Sequence, residues 1–242
     1  MGLLDMIGLG GPEAKIRRLQ KKATTKFGPA ENRQGAIEEL GGLKTEAAID
    51  ALLTRYTFRV DPGITDDDEK ARVMALITQA GEVALGPVKR FIAARDEISW
   101  PLRALESLLP EAEVVRFLVE VAKKAGVEYS RVPEKKVLLL HALLTHKSPE
   151  IGSAVLPFLD DMDDEVQIAA AEVIARQQDP LGREPLIQHF LKAHEGSNAR
   201  VREALAGLLA DSGWDVKGFT PKVEAALPPA YKLDSRGKVT RR

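Results

Sequence analysis

DDEVQIAAAEVIARQQDP (163–180) is answered 35 residues later by SNARVREALAGLLADSG (197–213). Val166, Ala169, Val173 and Ile174 of the first stretch align with Val201, Ala204, Leu208 and Leu209 of the second. Offsets of 3, 7 and 8 residues place the four on one side of an α-helix, so each stretch reads as an amphipathic helix. A fixed period in the thirties points to stacked helical hairpins, because one hairpin cannot bury its apolar stripe alone. The expected fold is therefore all-α, an α-solenoid of about six hairpins in an α-α superhelix.

The cadence extends in both directions. ENRQGAIEELGGL and DDDEKARVMALITQAG read as second helices of earlier hairpins, and EAAIDALLTRY, LGPVKRFIAARD, EAEVVRFLVEVAKKAG, IGSAVLPFLDD and LGREPLIQHFLKAH as first helices. The hairpins are placed at 13–42, 46–81, 82–109, 111–147, 149–178 and 181–212, with a short closing helix near 219–226. Pro101, Pro133 and Pro149 suit first helical turns, where a missing N–H costs nothing. Ser99, Ser148 and Asp163 or Asp164 suit N-caps, and Gly81, Gly126 and Gly213 suit helix ends. No run of alternating β-branched residues predicts a strand. Residues 1–12 are expected to form a short head, 13–227 the repeats, and 228–242 an extended or flexible basic tail.

Apolar residues make up 44% and charged residues 29%, a globular balance, while aromatics at 5% favour Ala- and Leu-rich helix packing over a sandwich. The absence of Cys excludes disulfides, thiolate metal sites and thiol nucleophiles. Neither a signal peptide nor an apolar stretch long enough to span a bilayer is evident, so the expectation is a cytoplasmic protein without a membrane span. Net charge is −1, yet residues 1–26 and 222–242 each sum to +4, leaving −9 for the middle. Basic ends on an acidic body suit nucleic acid, anionic lipid or an acidic partner.

AVLPFLDDMDDEVQIAAAEVIARQ and RVREALAGLL resemble the HEAT repeat family, with a faint likeness to small bacterial HEAT-repeat proteins. Pro157, Asp160, Asp161, Asp164, Val166, Ala169 and Ala170 fall on the family pattern, and Arg202 keeps its second-helix arginine where Gln167 replaces it. The match is strongest over 149–212, fainter over 31–94 and faintest over 95–147. The resemblance implies a curved, armadillo-like binding platform acting as a scaffold for another protein.

Two hairpins carry long inner connections, 57–69 and 126–134, and both are expected on one edge of the stack. Arg59, Asp61, Tyr129 and Arg131 are the contact candidates there, against the plainer reading of tolerated surface loops. Arg72, Arg103, His141, Arg176 and Arg202 on second helices are candidates for the concave face, or for hydrogen bonds to Asp-rich turns. The acid runs at 66–69 and 160–165 lack the spacing and Gly of a calcium loop and read as capping and helix-dipole charges. Four histidines without HExxH give no metal site, GLGG at 8–11 lacks the Lys of a phosphate loop, and no nucleophile elbow occurs. The expectation is a non-enzymatic scaffold without cofactor, binding another protein. The alternative is a nucleic-acid-binding HEAT-like protein resembling the alkylbase DNA glycosylases, which the mixed charge of the second helices disfavours.

Overall fold

The structure, a computed structural model, describes residues 11–126 and 132–242. It divides into two compact units, residues 1–114 and 115–242. Apart from one small hairpin of strands, the described residues are helices, short 3-10 turns and the loops between them.

The first unit holds α1 (Pro12–Ala23), α2 (Ala30–Leu43), α3 (Glu46–Leu53), α4 (Gly63–Ala80), α5 (Leu85–Ala94) and α6 (Ser99–Leu108). α1 packs on α3 and α3 on α5, while α2 packs on α4 and α4 on α6. First helices thus neighbour first helices and second helices neighbour second ones, a packing consistent with a helical repeat. Ile49, Leu52, Val88 and Ile92 of the first layer, with Leu40 and Ile77 of the second, are fully buried. Gly41 lets α2 and α4 close up. A Cβ there would lie 2.6 Å from Leu76 Cδ2.

α7 (Glu111–Ala125) straddles the boundary between the units. The second unit continues with α8 (Glu134–Leu144), α9 (Pro149–Val155), α10 (Asp164–Gln177), α11 (Arg183–Glu195), α12 (Ala199–Ser212) and α13 (Thr220–Ala226). α8 packs on α10 and α10 on α12, with α11 against α12 and α13. The apolar stripe that the sequence repeat predicts is buried here through Val166, Ala169, Val173, Ile174, Val201 and Leu209. Ser148 caps α9, and Asp163 caps α10 by accepting from Glu165 and Val166 N–H. Ser99 is no cap; α6 follows Ile98 without a side-chain acceptor. Gly81 (φ +65°) ends α4 and Gly213 (φ +67°) ends α12, in the left-handed half of φ that a Cβ disfavours.

Five exposed ion pairs between successive hairpins share one direction. The acid belongs to the earlier hairpin and the base to the later one in Glu38–Arg72, Glu46–Arg90, Asp50–Arg90, Asp160–Lys192 and Glu165–Arg200. Such exposed pairs set register more than they add stability.

The C-terminal residues correct the expectation of an extended tail. β1 (Tyr231–Leu233) and β2 (Val239–Arg241) form an antiparallel hairpin in which Leu233 faces Val239. Asp234 Oδ1 accepts from the Arg236 and Lys238 N–H groups, and Gly237 (φ +75°) turns the chain. Val239 is buried, and the hairpin packs on α12, where Arg241 pairs with Asp211. Local turn chemistry and one buried valine outweigh the lack of periodicity.

Candidate functional site

The densest chemistry in the first unit is a buried ionic cluster beneath its loops. Glu69, with its side chain 1% exposed, accepts from Arg33 (Nη2, 3.0 Å) and Arg55 (Nε, 2.8 Å). Arg55 also donates to Asp66 (2.7 Å), and Lys70 donates to the other Asp66 oxygen (2.6 Å). Three cations and two anions are therefore withdrawn from water together, and each finds a partner. Burial raises the Asp66 pKa, but hydrogen bonds from Lys70, Arg55 and the Val60 N–H outweigh it and hold the carboxyl below its ordinary range.

This cluster grips two loops at once. Arg33 Nη1 donates to the carbonyls of Gly28 (2.8 Å) and Thr25 (3.3 Å), fixing the α1–α2 connection. Arg55 Nη1 donates to the Phe58 carbonyl and stacks its guanidinium over the Phe58 ring, while Asp66 accepts from Val60 N–H. The 58–62 connection is thereby pinned from below. Arg59, Asp61 and Ile64 stay exposed above it, Ile64 by 72%. Arg59 and Asp61 make no side-chain hydrogen bond or ion pair among the described residues.

The second helices carry shallow grooves. In the first unit one of about 250 Å³ is lined by Gln34, Ile37, Glu38, Asp68, Glu69 and Arg72. Arg72 spans it to Glu38 (Nη2 to Oε2, 2.7 Å), whose pKa this bond lowers. In the second unit a groove of about 380 Å³ runs between α8, α10 and α12, with Lys147, Glu172, Arg176 and Asp211 on its rim.

The remaining sequence candidates scatter. Arg103 is exposed and lies 5.1 Å over the Trp100 ring, which in turn stacks on Tyr56. His141 is exposed on α8. Arg202 reaches His194 Nδ1 at 3.2 Å, and its Nε is buried without a partner. Tyr129 and Arg131 lie outside the described residues. The turn contacts expected of the second-helix arginines are made by other residues. Lys136 pairs with Asp161 (2.7 Å), Gln167 donates to the Asp161 carbonyl, and Asn198 donates to Asp164.

Sequence reasoning missed Arg33, Arg55 and Glu69. The available signal was the run DDDE itself, since positions 66 and 69 share one helix face and turn inward while 67 and 68 turn out. Among the described residues no group of three or more His, Asp or Glu is placed to hold a metal, and no helix is long and apolar enough to cross a membrane. The chain matches no family model, no curated protein and no solved structure.

Proposed function

We propose that this chain is a non-enzymatic scaffold of the HEAT-repeat kind. Its hairpins form a solenoid that binds a partner protein along the edge carrying the 58–62 connection, with the grooved second-helix layer as its concave face. The observation that carries the reading is the pinned loop. Burying ions is costly unless every one is paired, and here that arrangement holds a polar, unpaired tip, Arg59 and Asp61, in a fixed position in solvent. A pre-organised loop loses little entropy on binding.

An exposed apolar side chain supports the same edge: Ile64, 72% exposed, stands beside the Arg59 and Asp61 tip at the start of α4, adding an apolar contact to the polar pair.

The test is cross-linking capture from nuclease-treated lysate with the full chain and with Arg59→Ala/Asp61→Ala. A protein recovered by the full chain and lost by the double variant, at unchanged thermal stability, supports the edge. Equal recovery by both removes it.

A further inference from the structure

We infer that the α1 face and the Phe27 tip of the first unit form a docking surface for an anionic lipid bilayer. The inference goes beyond the scaffold reading and uses none of the residues assigned to the partner edge.

α1 buries Leu19 and Ala23 against its neighbours and turns Lys15, Arg17, Arg18, Lys21 and Lys22 to solvent. Arg17 and Lys21 are four residues apart, as are Arg18 and Lys22, so like charges stand one turn above each other, an arrangement that disfavours an isolated helix. The helix dipole favours Lys21 and Lys22 in the last turn but gives little to Arg17 and Arg18. Lys15 and Arg17 find only distant, exposed acids, Glu39 at 3.8 Å and Glu13 at 3.9 Å. Arg18, Lys21 and Lys22 have no acid partner among the described residues.

Inner first helices differ. Arg90 of α5 lies between buried Val88 and Ile92 as Lys21 lies between buried Leu19 and Ala23. Arg90 meets Glu46 and Asp50 of the preceding hairpin. Lys192 of α11 likewise meets Asp160. On α1, Lys21 and Lys22 meet no such acid among the described residues, so this surface presents uncompensated positive charge.

Phe27 identifies the kind of partner. Its ring is 94% exposed, with the Lys26 ammonium 5.6 Å from its centroid. The carbonyls on either side, Thr25 and Gly28, are held by buried Arg33, so the aromatic tip is fixed in place. An aromatic ring beside lysines suits the headgroup layer, where the ring enters the acyl boundary and the ammonium groups meet phosphate. Nucleic acid fits less well. Single strands want several stacking rings along a charged groove, whereas α1 offers one helical ridge and one ring.

The experiment is vesicle co-sedimentation of the full chain, using phosphatidylcholine alone and phosphatidylcholine with 30% phosphatidylserine. Binding is expected only to the anionic vesicles and should weaken in salt. Lys21→Gln/Lys22→Gln should lower the partition coefficient by roughly 25-fold, at about fivefold per charge. Phe27→Ala should lower it about tenfold, from the loss of a buried ring. All three positions are exposed, and an unchanged circular dichroism melt confirms that the variants fold. Arg59→Ala/Asp61→Ala should bind vesicles as the full chain does, which separates this surface from the partner edge. Absence of binding to anionic vesicles at low salt overturns the inference. So does binding that ignores both Phe27 and the two lysines, or preference for a 30-mer oligonucleotide that strips the protein from the vesicles.

Discussion

Arg55 and Glu69 meet at 2.8 Å with side chains 0% and 1% exposed, and the same carboxylate takes Arg33 from the neighbouring hairpin. Two loops of the first unit thus depend on one acid. Glu69→Ala would strand buried Arg33 without its anion and leave Arg55 with Asp66 alone, at an expected cost of about 3–5 kcal/mol. Denaturant unfolding followed by Trp100 in a Trp214→Phe background reads the first unit. Replacing Arg33 and Arg55 by Met and Glu69 by Leu together should recover most of the loss, since no charge is then stranded. A triple variant as unstable as Glu69→Ala would refute this.

Asp66 gives that unit an acid dependence. Its folded pKa lies below the ordinary value near 3.9, so its contribution is complete above that value and is lost as pH falls through the folded pKa. Stability against pH should decline below about pH 4, and Asp66→Asn should flatten that limb while lowering stability at neutral pH. An unchanged acid limb in Asp66→Asn would assign the decline to other groups.

His189 sets a second dependence, in the other unit. Burial, and then the charge of Lys192, lowers its pKa, with Asp160 opposing, and Gln167 Oε1 stands 3.1 Å from Nε2. The unfolded chain takes up the proton as pH drops below about 6.5 while the folded one does not. Stability should therefore start to fall there and level off once the folded pKa is passed. His189→Gln should remove that step, as read by melting temperature between pH 7 and 5.

Glycines inside α2 separate packing from propensity. Gly41→Ala places a Cβ 2.6 Å from Leu76 and should cost about 1–3 kcal/mol despite alanine's better helix propensity. Gly42→Ala, with nothing within 4 Å, should add roughly 0.5–1 kcal/mol. Denaturation midpoints moving in opposite directions would bear this out; two shifts of the same sign would not.

The hairpin of strands should yield to a single change. Val239→Ala removes its one fully buried apolar anchor, worth about 2 kcal/mol of local stability, while α1–α6 stay unaffected. Hydrogen exchange of the amides at 231–241 should accelerate, and protection equal to the unaltered chain would show that the anchor lies elsewhere.

Helix positions were legible because apolar offsets of three and four residues recur through 166–174 and 201–209, and because Ser148, Asp163 and Gly213 punctuate them. The hairpin was not, since three-residue strands carry no usable alternation. DSRG at 234–237 was its one signal, an acid and a glycine bracketing a turn. The buried cluster was illegible for a different reason. Arg33, Arg55 and Glu69 are 22, 14 and 36 residues apart in pairs, and only the packing of α4 on α2 and on the turn after α3 converts those separations into contact. The exposed candidates Arg59 and Asp61 followed from loop length alone, while their fixed setting came from Asp66, read from the sequence as a capping charge.

Glu46 and Asp50 of α3 both reach Arg90 of α5, so one exposed cation ties two hairpins through two acids. Dissolved ions screen such a contact while barely reaching the buried Arg55–Glu69 pair. Rising ionic strength should therefore loosen the outer seam between these hairpins while the loops held by Glu69 keep their positions.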